Sequence, residues 1–311
     1  MMNEDISWIG LDWGTTQLRC YALNDRGCLI DSVSSKDGIN EIKDAKFEET
    51  LLAAINPWLI LGKVTPILAC GMIGSKNGWL ETPYQKMPCN PCDYKQFVRI
   101  TCNDPRMKIY VIPGVANLKQ IDLMRGEETQ LAGLLCNIDS AIVCLPGTHS
   151  KWVQIKDGRI EKFSTFISGE LFDLMSNKSM IRYSVNKDGW DNNAFTEGVL
   201  SGFKTPELLS NSFFKLRADD LMHNIDHAVL RSKLSGLIIG LELAGAKDYL
   251  KEQNVQLIGE PVLNNLYSIA LSLLKVETSA YDASQITLSG LKYGFNSMQK
   301  YLGSEQKGNN G

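Results

Sequence analysis

The chain lacks the marks of a nucleic-acid binder, a membrane protein or an exported one. Lys and Arg number 32 against 35 Asp and Glu, for a net charge of −3. The basic residues are scattered, not gathered into the patch or stripe that a phosphate backbone demands. The longest weakly polar stretch, Leu234 to Ala246, is too short for a bilayer span and carries Glu242. It predicts a buried helix. The opening Met1-Met-Asn-Glu-Asp-Ile6 is acidic where a secretory signal would be basic.

Metal and redox signals are equally thin. Eight cysteines are dispersed, and only Cys89-Asn-Pro-Cys92 has CxxC spacing. No second pair and no nearby histidine completes a four-ligand zinc site, so reduced thiols in a cytoplasm are expected. There are three histidines. His223 and His227 stand i, i+4 on an expected helix, but without H-E-x-x-H they read as a surface helix face. No G-x-x-x-x-G-K-[ST] occurs, which disfavours a P-loop. No G-x-G-x-x-G follows a strand, which disfavours a dinucleotide site.

What is present is a globular composition: 311 residues, 44% hydrophobic and 22% charged, enough for one large domain or two ordinary ones. The chain also repeats itself. Ser7 to Asp12 reads as a buried strand, Gly14-Thr15-Thr16 as a turn, Leu18 to Leu23 as a second strand. Asn24-Asp-Arg-Gly27 is a hairpin turn and Cys28 to Ser34 a third strand. Further on, Ala141 to Leu145, Gly147-Thr148-His149, Lys151 to Ile155, Lys156-Asp-Gly158 and Arg159 to Ile167 spell the same order. Two such units predict two related lobes. Helices are expected at about 47–61, 126–136, 197–210, 218–233, 235–251, 261–274 and 283–301, with a strand at Val255 to Ile258. Strands mixed with crossover helices give an α/β class.

The residues suited to chemistry cluster at the turns. Asp12-Trp-Gly14-Thr15-Thr16-Gln-Leu-Arg19 ends an apolar strand in a carboxylate and turns at a glycine into hydroxyls. Gly14 admits close approach of backbone N–H groups to an anion. Asp12 suits Mg²⁺ through water, and Arg19 suits a phosphate or carboxylate. A plain hairpin with a glycine bulge reads equally well. Its repetition at Pro146-Gly147-Thr148-His149-Ser-Lys151 favours a phosphate grip, with Thr148 ahead of His149 and Lys151. Met124-Arg125-Gly-Glu127-Glu128 opens a helix. One of its carboxylates can accept the proton of an attacking hydroxyl, Glu127 before Glu128, or both merely complement the helix dipole. Gly71 to Gly78, continuing to Tyr84, offers Gly74, Ser75, Trp79 and Tyr84 to a sugar-like ligand or is a surface loop. Gly259, between a strand and a helix, reads as a turn or as a rest for an adenine or ribose.

Together these motifs resemble the 2-dehydro-3-deoxygalactonokinase family. The resemblance rests on Gly10-Leu-Asp-Trp-Gly-Thr-Thr-Gln-Leu-Arg19, Gly71-Met-Ile-Gly-Ser75, Met124-Arg-Gly-Glu-Glu-Thr-Gln130 and Pro146-Gly-Thr-His-Ser-Lys-Trp152. Ser168-Gly-Glu-Leu171 and Ser235-Gly-Leu-Ile-Ile-Gly240 add to it. It implies two ribonuclease-H-like lobes of the actin-like ATPase architecture flanking a nucleotide cleft, divided as 1–138 and 139–311. The implied reaction moves the ATP γ-phosphoryl to the 6-hydroxyl of 2-dehydro-3-deoxy-D-galactonate, in galactonate catabolism, with ATP and Mg²⁺. Arg125 suits the substrate carboxylate. A polyphosphate phosphohydrolase on the same fold and a nucleotide-gated binding module are the alternatives, and a homodimer is left open.

Overall fold

The computed structural model describes residues 5–186, 188–251 and 254–308. They fall into two compact units: Met1–Asp139, Asp157–Glu161 and Ala283–Gly311 form the first, Ser140–Lys156 and Lys162–Asp282 the second. A cut at 138/139 therefore matches the chain only in part, because the last helix and the tip of one hairpin join the first unit.

In the first unit the strands are β1 Trp8–Trp13, β2 Leu18–Leu23 and β3 Leu29–Ser35, then, after helix α1 (Phe47–Ile55), β4 Thr65–Gly71. β5 Gln85–Lys86, β6 Val98–Ile100, β7 Met107–Val111, β8 Val115–Asn117 and β9 Asp122–Met124 follow, ahead of helix α2 (Glu127–Leu134). Six strands form one sheet in the order β3-β2-β1-β4-β7-β6, and β5, β8 and β9 form a small second sheet. β1 runs antiparallel to β2 and parallel to β4. Side chains alternate across β1: Ile9, Leu11 and Trp13 enter one core with Phe47 and Leu51, while Trp8 enters another with Leu291 and Phe295. A strand buried on both faces is largely apolar, which is why β1 is legible as a short apolar run. α1 is shorter than its periodicity predicts because Pro57 tightens the chain into a 3₁₀ turn at Asn56–Trp58.

The second unit repeats the plan with β10 Ala141–Leu145, β11 Ser150–Lys156, β12 Arg159–Phe166 and, after helices α3 (Ser168–Asn177), α4 (Asn192–Lys204), α5 (Leu209–His223) and α6 (His227–Gly245), β13 Asn254–Gly259, α7 Pro261–Ser272 and β14 Glu277–Asp282. The order is β12-β11-β10-β13-β14, with β10 antiparallel to β11 and β13 parallel to β10 and β14. Both sheets thus carry the ribonuclease-H-like order 3-2-1-4-5, a mixed α/β architecture used twice. β14 was not expected from sequence: it alternates weakly and no residue in it is fully buried.

The helical boundaries of this unit correct the sequence expectation. The stretch 218–233 is not one helix. α5 ends at Asn224 in the left-handed conformation, φ 50°, and Asp226 caps α6 by accepting the Ala228 N–H. His223 and His227 therefore sit on different helices, and the i, i+4 face does not exist. α6 then runs unbroken through Ser235. Its buried Leu234 to Leu243 stretch packs on α4 through glycines: Gly236 and Gly240 lie against the Phe195 and Val199 carbonyls, Gly198 and Gly202 against those of Lys233 and Leu237. No helix of the described residues is long and apolar enough to cross a membrane.

The final helix, α8 (Ala283–Gly308), covers the other face of the first sheet, with Trp8 stacked on Phe295 at 4.0 Å. Gly290 lies against the Thr129 carbonyl of α2, and Gly133 against that of Ile286.

Candidate active site

In each unit the turn after the first strand is braced from below in the same way. In the first, the Gly14 N–H donates to the Gln17 carbonyl at 2.9 Å. The carbonyls of Gly14 and Thr15 accept from Ile39 and Asn40, both at 3.0 Å. Gly38 lies directly on the Thr15–Thr16 backbone, where any Cβ would collide. With its carbonyls spent inward, the turn leaves Thr15 and Thr16 exposed. In the second unit the Thr148 carbonyl accepts from Glu170 at 3.0 Å, and Gly169 lies on Gly147 and Thr148 as Gly38 does on its turn. Thr148 and His149 are exposed. The repeat read in the sequence thus extends to a bracing glycine, Gly38 or Gly169, which turn chemistry alone did not reveal.

Around the first turn the structure gathers Asp12, Gly71 and the start of α2. Gly71 has φ 89° at the end of β4, and a Cβ there would stand 3.6 Å from Asp12 Oδ1. Gly126, φ 106°, is the N-cap of α2, and its own Cβ position is 3.4 Å from the Gly71 Cα. Two glycines in left-handed conformations let the strand ends and the helix N-terminus meet. Asp12 pairs with Arg19, Oδ2 to Nη1 at 3.0 Å. Burial raises its pKa, and the Arg19 charge opposes that shift. Arg19 also donates to Gln17 Oε1 at 2.6 Å. Its guanidinium is therefore occupied by side chains of its own turn.

Glu127 and Glu128 part company here. Glu128 is wholly buried; its Oε2 accepts the Gly126 N–H at 2.7 Å. Burial and then the neighbouring Glu127 charge push it up to about 8. Glu127 is half-buried, with Oε2 on the Arg125 N–H at 2.9 Å. Arg125 is buried, donates from Nη2 to the Thr82 carbonyl at 3.0 Å and stacks on Tyr84 with 4.3 Å to the ring centroid. Among the described residues, its Nε and the buried Ser75 Oγ have no hydrogen-bond partner. Gly74 precedes Ser75 in the chain, and its Cβ position lies 2.8 Å from Arg125 Nη1. Trp79 is half-buried and packs against the core, stacked near Phe47 at 6.3 Å and edge-on to Trp13 at 6.4 Å. A depression of about 720 Å³ in this unit runs along Gln85, Asn90 and Arg159, and its lining excludes Ser75, Arg125 and Glu127.

In the second unit an apolar pocket of about 180 Å³ runs from Gly147 to Phe172, Trp190, Arg231, Ile238 and Leu263. Arg231 lies over Phe172 at 5.0 Å. Gly259 closes β13 beside the turn: a Cβ would stand 2.9 Å from Asn264 Oδ1 and 3.3 Å from the Pro146 carbonyl. His149 pairs with Glu170 at 2.6 Å, and the buried Lys151 donates to the His149 carbonyl at 3.2 Å. Phe172, Trp190 and Arg231 were missed in the sequence. They come from three separate segments and share no motif; Ser168-Gly-Glu, which seats α3 on the turn, was the nearest signal.

Elsewhere, Cys89 and Cys92 are buried thiols, and burial pushes Cys89 up to about 12. Among the described residues no group of three or more His, Cys, Asp or Glu is placed to hold a metal ion.

A family model described as 2-keto-3-deoxy-galactonokinase matches residues 12–293. The chain belongs to this family. It is 35% identical over 296 residues to the probable 2-dehydro-3-deoxygalactonokinase of Rhizobium meliloti (strain 1021), covering 91% of this chain and 95% of that one. It is 31% identical over 289 residues to the 2-dehydro-3-deoxygalactonokinase of Escherichia coli (strain K12), covering 92% and 96%. A crystal structure of a Sinorhizobium meliloti protein assigned as a 2-dehydro-3-deoxygalactonokinase superposes with a TM-score of 0.85 at 33% identity, over 94% of this chain and 96% of that one. The family match spans both turns, the Arg125–Glu128 segment and the pocket of the second unit.

Proposed function

We propose that this chain transfers the γ-phosphoryl group of ATP to the 6-hydroxyl of 2-dehydro-3-deoxy-D-galactonate, in galactonate catabolism. The observation that carries the reading is a buried, half-satisfied arginine in the first unit. Arg125 is locked by Thr82 and Tyr84, yet among the described residues its Nε has no hydrogen-bond partner, and neither does the buried Ser75 hydroxyl. Buried donors without partners are costly, and a sugar-acid carboxylate and hydroxyl supply what both lack. The names of the two curated relatives give the sugar acid its identity.

The division of labour follows the units. The first holds the sugar acid at Gly74, Ser75, Tyr84 and Arg125. Its half-buried Glu127 accepts the proton of the 6-hydroxyl as that oxygen bonds to the γ-phosphorus. The bond from phosphorus to the β,γ-bridging oxygen breaks and ADP departs. Glu128, buried and with its pKa raised to about 8, is unsuited to that task. Phosphoryl transfer is loose, so placing the hydroxyl counts for more than base strength. The second unit holds the nucleotide: the Gly147–Thr148 turn takes phosphate oxygens, and the pocket of Phe172, Trp190 and Arg231 takes the base. Thr15 and Thr16 offer further hydroxyls to phosphate.

Asp12 fits Mg²⁺ as a lone carboxylate acting through water, the style of binding this ion favours; its bond to Arg19 must then loosen. The bound ion would neutralise charge on the phosphates. The cysteines, all free thiols, support a cytoplasmic setting.

The test is a coupled assay with Mg-ATP and a panel of 2-keto-3-deoxy sugar acids. We expect ADP and a sugar phosphate in equal amounts with the galactonate derivative. If no sugar acid raises ADP formation above background, the reading fails. Arg125→Lys should raise KM for the sugar acid about tenfold while leaving KM for ATP unchanged, because an ammonium cannot reproduce the planar fork.

A further inference from the structure

Beneath the Gly147 turn lies a chain of buried polar groups that no step above uses. The Gly147 N–H points to Ser150 Oγ at 3.4 Å. Ser150 Oγ is 3.0 Å from the Tyr267 hydroxyl, which donates to Glu242 Oε2 at 2.6 Å. Because the Tyr267 proton goes to the carboxylate, its oxygen accepts from Ser150. Every proton in the series then points from the turn towards Glu242, an order that strengthens each bond in it. The other carboxylate oxygen accepts the Trp152 Nε1–H at 2.8 Å, and Ser168 adds a hydrogen bond. All five residues are buried, Ser150 and Trp152 completely.

Burying a carboxylate costs several kcal/mol unless its acceptor sites are filled. Filling them draws together four elements: Glu242 itself on α6, Ser150 and Trp152 on β11, Ser168 at the start of α3 and Tyr267 on α7. Ser168 and Tyr267 also line the apolar pocket. A glutamine of the same shape presents an amide N–H₂ where a carboxylate oxygen receives a donor, so it cannot keep the same polarity.

We propose that Glu242 is a positioning residue for the nucleotide: through Tyr267 and Ser150 it fixes the Gly147 turn, and through Ser168 the start of α3, in the conformation that receives the phosphates. The proposal rests on the second unit being the nucleotide site.

ADP binding to the full chain by titration calorimetry, without sugar acid, tests it, beside KM values for both substrates. Glu242→Gln should weaken ADP about tenfold, the worth of a hydrogen bond to a charged group. Tyr267→Phe and Ser150→Ala, which preserve packing, should each weaken it about fivefold. The double variant should be no weaker than either alone, since both break one series. KM for the sugar acid should stay within about twofold of wild type, the scatter expected of an uncoupled site. The inference is overturned if folded Tyr267→Phe and Ser150→Ala bind ADP as wild type does. It is equally overturned if their effects multiply, or if KM for the sugar acid rises in step. A wild-type chain with no affinity for ADP would overturn the functional reading and this inference with it.

Discussion

Replacing Glu128 by glutamine tests the burial at the heart of the first unit. In the folded chain this carboxyl is raised from 4.5 to about 8, first by burial and then by the charge of Glu127. Between those values the folded state holds its proton and the unfolded state has released it. The folded state therefore binds more protons, and stability falls as pH rises from about 4.5 to 8. At pH 7 the loss attributable to this one group is roughly 3 kcal/mol, and above pH 8 it approaches about 5 kcal/mol. Glutamine keeps an oxygen for the Gly126 N–H and carries no charge at any pH. Guanidinium unfolding of wild type and Glu128→Gln, at steps from pH 5 to pH 8.5, reads the difference directly. The variant should gain on wild type with increasing pH, and its transition midpoint should move past that of wild type at the alkaline end. Other titrating groups, Glu242 among them, are common to both proteins and cancel. A difference in midpoint that stays constant from pH 5 to 8.5 would refute the reasoning and mean that Glu128 is ionised in the folded chain.

Glu127→Gln should lower kcat by about a hundredfold or more, the usual worth of a positioned base, with ADP affinity unchanged. A near-normal kcat removes Glu127 from the mechanism. Gly147→Ala should fold normally, since nothing lies within 4 Å of the added methyl and the backbone is not left-handed. It should still raise KM for ATP by roughly tenfold by standing where phosphate approaches. An unchanged KM would move the phosphates elsewhere. Gly74→Ala forces a methyl to within 2.7 Å of Thr82 Oγ1 and 2.8 Å of Arg125 Nη1. It should cost about 1–3 kcal/mol of stability and raise KM for the sugar acid, checked by denaturation and steady-state kinetics.

How far the sequence reached depended on which physical rule applied. The repeated strand–turn–strand units were visible because strands buried on both faces are apolar and their turns need glycine, threonine and serine at fixed offsets. The helices after residue 190 were harder. Helical periodicity carries across 218–233, and the break between α5 and α6 is written only in Asn224 and the Asp226 cap, which periodicity overlooks. Trp79 looked like a platform for a sugar, since an aromatic beside glycines suits that role. Its half-buried ring also packs near Phe47 and Trp13, residues more than thirty positions away in the chain.

By itself the sequence determined the α/β class, the twofold plan, the two turns and the segment that holds the acidic pair. Those are local properties, fixed by side-chain period, turn chemistry and motif spacing. Tertiary structure alone decided which member of the pair is buried. Glu127 and Glu128 are neighbours on one helix, about 100° apart, and nothing in their order distinguishes them. α8, arriving from the far end of the chain, packs on α2, and Glu128 is the one left in the interior. Long-range packing likewise drew Phe172, Trp190 and Arg231 into one pocket and placed Glu242 under the second turn. Burial depends on what covers a residue, and that covering comes from parts of the chain no local pattern can see.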